Sequence, residues 1–365
     1  MCVFAILLVS GCSGPYPQST LEPRGDFSQL VDAVFMKTVY LATAVFILVE
    51  GALLWAVFKF RGKPDDADPH QIHGSTLVEI VWTIIPAVVL AIVAVPTVQT
   101  IFATAKVPST STDGQPPLKV EVIGHQWYWE FRYPDLGITT ANELHVPVDR
   151  TVDLRMKSFD VIHSFWVPQF AGKRDVFPNR ETRLWFTAKV TGEFPGACAE
   201  FCGTEHGRMD FYLMVDKPAD FQAWVDRRHA DSTMRFDGAP MHPVVAVAAA
   251  PVAGKAAAPA PVRDTSAAVA VDTLVARGKE LFTVKGCVGC HSLSSMNPLK
   301  GQIGPNLGGI ATRKMIAAGW LPNTDANLKD WLEHTQKVKP DVKMVIGPIT
   351  DSEAAALIAY LRTMR

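Results

Sequence analysis

The chain has 365 residues, more than one ordinary domain, and this length predicts two or three domains. Hydrophobic residues make up 48% and charged residues 19%, below the ~25% of a typical soluble chain, so part of the sequence is expected to lie in a membrane. The formal net charge of −1 argues against a nucleic-acid-binding protein, 9 Trp and 19 Phe exclude a wholly disordered chain, and 6 Cys are too few for a disulfide-dense miniprotein.

Residues 1–12 form a short apolar run that ends in Val9-Ser10-Gly11-Cys12. Small residues before a Cys are typical of a lipoprotein-type signal segment, in which that Cys becomes lipidated, although the basic start of a signal peptide is missing. The alternative is an apolar leader with a chance Cys. We expect a lipid anchor at Cys12.

Two long apolar stretches predict a transmembrane hairpin over residues 28–106, with helices at about 34–60 and 78–103. Residues 39–58 contain one charge, Glu50, and residues 80–102 contain none. Each stretch is long enough to cross a hydrocarbon core of ~30 Å as a helix. Buried helices of a soluble core are the alternative, but they are seldom so long and so apolar.

The loop between the two stretches is basic, and it carries Lys59, Arg61 and Lys63. By the positive-inside rule, this loop lies in the cytoplasm and both ends of the chain face outward. We therefore expect a bacterial inner membrane protein whose later domains lie on the periplasmic face.

The pattern changes to β from about Leu118. Apolar and polar residues alternate around Val120 and around Leu154, and Pro and Gly separate several short runs of this kind. Such a pattern predicts an all-β Greek-key domain over residues 107–236. Residues 237–271 contain 13 Ala and 5 Pro and predict an extended linker, and residues 272–365 begin and end with helical patterns.

Soft metal donors lie at short spacing between residues 198 and 209. Two thiolates on one loop, Cys198 and Cys202, can bridge two metal ions, each of which then needs a terminal ligand. His206 supplies one terminal ligand, and the distant His163 is the candidate for the other. Met209 can be a weak axial ligand, and the backbone carbonyl of Glu200 can reach the second metal. Sulfur and imidazole together favour copper.

The loop from residue 198 to residue 209 has two alternative interpretations. An oxidising outer compartment would permit a disulfide between Cys198 and Cys202. A mononuclear zinc site is the second alternative, but the thioether of Met209 is a poor zinc ligand. The His and Met at these offsets argue against both.

The pattern C-x-E-x-C-x3-H-x2-M resembles the binuclear CuA loop of cytochrome c oxidase subunit II. Residues 124–131, with Trp127 and Trp129, are similar to that family's aromatic segment, and residues 79–87 are similar to the start of its second membrane helix. The resemblance covers roughly residues 28–220 and implies a cupredoxin-like fold for the β domain.

The same resemblance implies the roles of individual residues. The six residues that it implies as copper contacts are His163, Cys198, Glu200, Cys202, His206 and Met209. It implies that Trp127 is the aromatic side chain through which electrons reach CuA. It also implies that the Glu200 carboxylate binds a Mg ion at the interface with subunit I, and that Glu79 lies at the mouth of a proton pathway. Quinol-oxidising relatives lack the copper ligands, so the resemblance argues against quinol as the donor.

A second metal motif, Cys287-Val288-Gly289-Cys290-His291, is a signal for c-type haem. Its two thiols can form thioethers to the haem, and the adjacent His can bind the iron. A thioredoxin-like redox pair is the alternative, but no βαβ pattern surrounds the motif. Residues 303–307 resemble the haem-edge loop of class I cytochromes c, in which the carbonyl of Pro305 would hold the proximal His. We therefore expect an all-α class I cytochrome c domain over residues 272–365.

The distal ligand of such a haem should be a Met. Met344 lies shortly before the last helix, a position that fits the cytochrome family, although Val345 stands where that family usually has Pro. Met315 is the alternative, and Met296 is too close to His291 in sequence to reach the opposite face.

Taken together, the domains resemble subunit II of caa-type cytochrome c oxidases, which carry a fused cytochrome c domain. The resemblance implies electron transfer from haem c to CuA and then to haem a in subunit I, where oxygen is reduced to water with proton pumping. It implies subunits I and III as partners, cytochrome c or a bc complex as donor, and a Mg ion shared with subunit I. The alternatives are the CuA subunit of another respiratory reductase, of nitric oxide reductase type, and a non-catalytic membrane-tethered electron carrier.

The two outer domains carry opposite charge. Residues 107–240 hold 15 basic and 19 acidic residues, a net charge of −4, and residues 272–365 hold 12 and 8, a net charge of +4. Opposite charge favours encounter, so we expect the haem domain to dock transiently near Trp127.

Overall fold

The computed structural model describes residues 16–62, 71, 73–231, 265–294 and 303–365. The predicted signal segment 1–12, with Cys12, lies outside the described residues, as does most of the predicted linker. In the last domain the structure describes the side chains from residue 271 onward.

The first two elements are long apolar helices, α1 (Asp26–Lys59) and α2 (Thr76–Ala105). Both are long and apolar enough to cross a membrane, and the most apolar stretch of each is not buried within the protein. This exposure argues against the soluble-core alternative. Pro86 and Pro96 lie inside α2, which runs past both without a break. Membrane helices tolerate such prolines because neighbouring groups re-satisfy the freed backbone.

The middle domain is a sandwich of two five-stranded sheets. One sheet has the order β3-β2-β1-β5-β8 and the other β4-β10-β9-β6-β7. The strands are β1 (Leu118–His125), β2 (Tyr128–Tyr133), β3 (Ile138–Ala141), β4 (Glu143–Pro147), β5 (Thr151–Ser158), β6 (His163–Trp166), β7 (Arg174–Val176), β8 (Thr182–Thr187), β9 (Gly192–Cys198) and β10 (Asp210–Asp216).

The β1–β5 and β4–β10 pairs are parallel, and the other neighbouring strands are antiparallel. This mixed topology and the interleaved strand order give the predicted Greek-key, cupredoxin-like sandwich. Four aromatic rings, all at most 1% exposed, pack against one another in its core. They are Trp129, Phe131, Phe165 and Phe211.

The sandwich holds the outer ends of both membrane helices. Phe27 packs edge-on against Trp185 with ring centroids 5.7 Å apart, and the Asp26 carboxylate accepts a hydrogen bond of 2.7 Å from the Thr187 amide. The indole of Trp185 donates to the Thr104 carbonyl, near the end of α2, at 2.7 Å. These contacts explain why α1 begins at Asp26, eight residues before the predicted start.

The last domain is mostly helical, in agreement with the predicted cytochrome c domain. Helix α3 (Pro218–Asp231) ends the sandwich domain, and the later elements are α4 (Thr265–Val284), β11 (Met315–Ile316), β12 (Leu321–Pro322), α5 (Asp325–Glu333), α6 (Thr335–Val338) and α7 (Asp351–Leu361). Helix α4 therefore begins seven residues before residue 272, inside the segment expected to be linker. Gly278 lets α4 cross α7 closely, because a Cβ there would meet the Ala356 carbonyl oxygen at 1.9 Å.

Candidate metal centres

The sulfur atoms of Cys198 and Cys202 lie 3.8 Å apart at one end of the sandwich. This separation is far beyond the ~2.05 Å of a disulfide, and both residues are free cysteines. The disulfide alternative is therefore wrong for this structure. The separation suits two thiolates that share metal ions between them.

Each sulfur has its own pair of further donors. The Cys198 sulfur lies 3.9 Å from Nδ1 of His163 and 3.3 Å from the Glu200 carbonyl oxygen. The Cys202 sulfur lies 3.7 Å from Nδ1 of His206 and 3.8 Å from the Met209 sulfur. All six predicted donors thus converge, and the soft donor set fits two copper ions bridged by the thiolates.

The strands dictate this convergence. His163 begins β6 and Cys198 ends β9, and the two strands pair so that Phe165 lies opposite Cys198. The rest of the donors lie in the loop from β9 to β10, which includes a short 3₁₀ turn at His206–Arg208. Gly124 makes room for the His163 ring, since a Cβ at this position would lie 2.8 Å from its Cδ2 atom.

Asp160 fixes the orientation of His163. Its carboxylate lies 2.9 Å from Nε2 of that ring, which leaves Nδ1 on the side of Cys198. Burial favours the neutral carboxylic acid, but hydrogen bonds from His163 and from the backbone amides of Gln126 and Val161 outweigh it and hold the pKa of Asp160 well below its usual range. A charged partner of this kind strengthens a histidine as a metal ligand.

The two cysteines titrate as a pair. The hydrogen bond with Cys202 lowers the pKa of Cys198 against burial, which raises it, and the hydrogen bond with His163 lowers it further. These contacts favour the thiolate form of Cys198. Thiolate, rather than thiol, is the form that binds a metal ion.

Trp127 joins the copper donors to the last domain. Its indole N–H donates to the Cys202 carbonyl at 3.1 Å, and the Gln126 side-chain amide donates to the same oxygen at 2.8 Å. Gly203, with φ +120°, allows the ring this close, because a Cβ there would lie 2.9 Å from it. Trp127 also lines the large apolar cavity of the last domain.

That cavity brings together the predicted haem residues. Its wall includes Cys287, Cys290, His291, Pro305, Met344 and Met315, together with apolar residues of α5 and α7. The two thiols and the histidine face an apolar space between helices, and this arrangement fits a covalently attached haem. The backbone carries a 3₁₀ turn at Cys287–Gly289, which sets the two thiols on one side of the cavity.

His291 is prepared as a ligand. Its Nδ1 lies 2.8 Å from the Pro305 carbonyl oxygen, which leaves Nε2 for iron. Burial lowers the pKa of His291, and the neutral imidazole that results is the form that binds a metal. Gly304 supports the ring, since a Cβ there would lie 2.6 Å from its Cε1 atom.

The structure leaves two candidates for the distal ligand, since Met344 and Met315 both line the cavity. Met315 belongs to β11, whose backbone is paired with β12. Met344 lies in a segment without helix or strand, where its carbonyl accepts a hydrogen bond of 3.1 Å from Gln336. Met344 therefore stays a prediction.

Two predicted site residues lie apart from these centres. Glu79 is in the first turn of α2, at the end remote from the sandwich. The side chain of Glu200 is exposed, and only its backbone carbonyl contacts a donor sulfur. Sequence reasoning missed Asp160, Gln126 and the two supporting glycines. The short spacing of Asp160 before His163 was the one signal that could have pointed to such a partner.

Comparison with known proteins identifies the family of this chain. Residues 26–100 match the family described as cytochrome c oxidase subunit II, transmembrane domain, residues 137–215 its periplasmic domain, and residues 275–365 the cytochrome c family. The cytochrome c oxidase subunit 2 of Alkalihalophilus pseudofirmus is 31% identical over 364 residues, which cover 99% of this chain and 95% of that protein. The chain belongs to the cytochrome c oxidase subunit 2 family.

A second cytochrome c oxidase subunit matches nearly the whole chain, and a quinol oxidase subunit matches a smaller share of it. The cytochrome c oxidase subunit 2 of Bacillus sp. strain PS3 is 31% identical over 373 residues, 98% of this chain and 94% of that protein. The quinol oxidase subunit 2 of Bacillus spizizenii is 30% identical over 229 residues, which cover 61% of this chain and 69% of that protein. The match to the oxidases thus extends over the haem-binding domain as well as the copper domain.

Proposed function

We propose that this chain is the subunit through which electrons enter a respiratory haem–copper oxidase, and that it passes them from haem c to CuA and on to haem a of subunit I. The observation that carries this function is the double contact of Trp127. Its ring lines the haem cavity while its N–H donates to the carbonyl of Cys202, one of the bridging thiolates. Trp127 would thus lie between the haem cavity and the copper loop on the path of the electrons.

The chain's own residues prepare both centres for electron transfer. Haem c and CuA, when bound, would each accept and release one electron without a large change in ligand geometry. Cys198 and Cys202 would hold the coppers, and Asp160 and Pro305 fix the rings of His163 and His291. His163 is 0% exposed and Cys198 8%, so bulk water is kept from these two donors and the dipoles around them have little freedom to move.

The oxygen chemistry belongs to other subunits in this proposal. The described part of the chain contributes two membrane helices, and we infer that subunits I and III pack against them. Cytochrome c or a bc complex would donate electrons to haem c. The Glu200 carboxylate would bind a Mg ion at the interface with subunit I, and its exposure leaves it free to do so. The outer domains would lie on the periplasmic face of the bacterial inner membrane, with a lipid anchor at Cys12.

The first experiment tests the cofactors and the role of Trp127 together. The purified oxidase should show a c-type haem spectrum and the EPR signal of a mixed-valence dicopper centre. Trp127→Ala should slow haem c to CuA electron transfer and leave both spectra unchanged, and Trp127→Phe should lose less. A wild-type protein without either spectrum, or unchanged transfer in Trp127→Ala, would contradict the proposal.

A second experiment concerns Glu79, which we propose as the entrance of a proton pathway into subunit I. Its place in the first turn of α2, at the cytoplasmic end predicted for the hairpin, supports this role. Glu79→Gln should slow steady-state oxygen consumption and leave the reduction of haem c and CuA unchanged. Normal turnover in that variant would reduce Glu79 to an interfacial charge.

The alternative catalytic partners predict different complexes. An oxidase subunit should co-purify with a subunit that binds haem a and consumes oxygen, whereas a nitric oxide reductase should consume nitric oxide. A free electron carrier should co-purify with neither and should lose copper readily to chelators. Four of the donors, His163, Cys198, Cys202 and Met209, are buried, which favours a centre that retains its copper.

A further inference from the structure

A buried lysine lies between the haem domain and the copper loop. The side chain of Lys339 belongs to the haem domain and is 1% exposed. Its Nζ donates to the carbonyl oxygen of Arg208, in the copper loop, at 2.7 Å and to that of Ala317 at 3.2 Å. A lysine is almost never buried without such partners, because its charge has to be solvated by protein groups.

Arg208 makes the reverse contact. It lies between the copper donors His206 and Met209, and its Nη1 donates to the Val338 carbonyl of the haem domain at 2.7 Å. Its guanidinium also lies 5.4 Å from the centroid of the Trp320 ring. The side chain of residue 208 therefore binds the backbone next to Lys339, and the side chain of Lys339 binds the backbone of residue 208.

A buried carboxylate close to these two side chains stabilises their positive charges. Glu205 is 0% exposed, and its Oε1 accepts a hydrogen bond of 2.7 Å from Nη2 of Arg208. Within the described part of the chain its Oε2 has no hydrogen-bond partner. Burial lowers the pKa of Lys339 to about 8, and the charge of Glu205 opposes that fall. A buried negative charge that is only half satisfied is stabilised by a second cation nearby.

The backbone of the haem domain has an unusual conformation where it contacts the copper loop. Ala317, Ala318 and Gly319 have φ angles of 53°, 61° and 77°, three successive residues in the left-handed region. The Ala318 carbonyl accepts the Asp210 amide at 3.0 Å, directly after the last copper donor. The left-handed region is unfavourable for alanine, so this conformation persists because the surrounding contacts over-determine it.

We propose that Arg208 and Lys339 form a reciprocal latch that seats the haem domain on the copper loop and so holds the haem cavity against Trp127. They are positioning residues for electron transfer, and this role rests on the proposed function. The latch differs from the transient docking expected from the net charges of the two domains, because buried hydrogen-bonded ions are screened by salt far less than exposed ones. The ion pair of the exposed Lys343 with the half-buried Asp160, at 3.3 Å, then only assists the seating.

Lysine footprinting of the full-length protein tests the seating without any electron-transfer readout. Lys337 is exposed and lies two residues from Lys339, so it is the matched control. During amine labelling followed by mass spectrometry, Lys339 should react at least about tenfold more slowly than Lys337, and Arg208→Ala should remove most of that protection. Equal labelling in the wild type, or full protection in Arg208→Ala, would overturn the latch.

Electron transfer in the purified oxidase tests the consequence. Lys339→Met keeps the apolar stem but removes the charge, and should slow haem c to CuA transfer about tenfold with both cofactor spectra unchanged. Its rate should become salt-dependent, whereas the wild type and the charge-matched control Lys337→Met should stay insensitive to salt. A salt-sensitive wild type, or an unaffected Lys339→Met, would overturn the latch. Missing cofactor spectra in the wild type would instead contradict the proposed function, and footprinting would still report the seating.

Discussion

The copper and haem centres of this chain hold their histidines in the same way but surround them differently. Each ring has one nitrogen fixed by an oxygen, Asp160 for His163 and the Pro305 carbonyl for His291, and each ring rests on a glycine. Each of the other copper donors, however, lies within 4 Å of one of the two cysteine sulfurs, on paired strands and a tight loop, while the haem residues line a wide apolar cavity. The proposed copper centre would therefore depend on its donors alone, whereas the proposed haem would also be held by covalent bonds to Cys287 and Cys290.

The largest effect is expected at the copper centre, because no covalent attachment would hold the copper if a donor were lost. In Cys202→Ser, one of the two bridging sulfurs is lost, and a hydroxyl is a poor ligand for copper. The dicopper EPR signal should disappear, and oxygen consumption should fall by more than ~100-fold, since even partners outside the ligand set are worth 10–100-fold. The absorption spectrum of haem c should not change. An intact dicopper signal in Cys202→Ser would disprove the bridging role.

The two supporting glycines test the comparison directly. Gly124→Ala would force a methyl group against His163, and Gly304→Ala would force one against His291. We expect each to destabilise its domain by about 1–3 kcal/mol. Gly124→Ala should also lose copper, whereas Gly304→Ala should keep its haem through Cys287 and Cys290 and show only weakened iron–histidine ligation.

The control is Gly172→Ala, because a Cβ at Gly172 meets nothing within 4 Å. Copper content, haem content and the thermal midpoint of unfolding separate the three variants. If Gly304→Ala lost its haem as completely as Gly124→Ala lost its copper, covalent attachment would not be the difference between the centres.

The distal ligand gives a smaller effect. Met344→Ala should leave the haem attached, and its reduction potential should fall because thioether sulfur favours ferrous iron. The ferric variant should lose the Met-to-iron charge-transfer band. Retention of that band in Met344→Ala and its loss in Met315→Ala would assign the ligand to Met315.

The sequence predicted the parts of both centres that lie within short motifs. The loop from Cys198 to Met209 and the C-x-x-C-H motif fix their donors by local spacing, and the alternating strand pattern of the sandwich is equally local. Asp160, Gly124 and Gly304 were missed because their roles depend on how separate segments meet. Lys339 was missed for the same reason, since nothing in its own neighbourhood indicates that the copper loop buries it.

Two histidines outside the metal centres each pair with an aspartate, one pair in the buried part of the copper domain and the other exposed on the haem domain. Nδ1 of His145 lies 2.8 Å from Asp216 on the neighbouring strand, and its ring stacks on Trp224 of α3 with centroids 4.6 Å apart. Nδ1 of His334 lies 3.0 Å from Asp330, but both side chains are more than half exposed.

Burial alone would lower the pKa of His145, but the hydrogen bonds with Asp216 and Glu143 outweigh it and raise the pKa above the usual 6.5. Because the pKa of His145 is higher in the folded than in the unfolded protein, the stabilisation of the fold by this pair is complete below pH 6.5. It is lost as the pH rises through the raised pKa.

His145→Gln should therefore lower the thermal midpoint of the copper domain by about 2–4 °C at pH 6 and by less at pH 9, which corresponds to about 1 kcal/mol from one charge-assisted hydrogen bond. His334→Gln should shift the thermal midpoint of the haem domain, to which it belongs, little at either pH, since solvent screens an exposed pair. Equal shifts at pH 6 and pH 9 in His145→Gln would mean that the ring stabilises the domain by packing on Trp224 rather than by its charge.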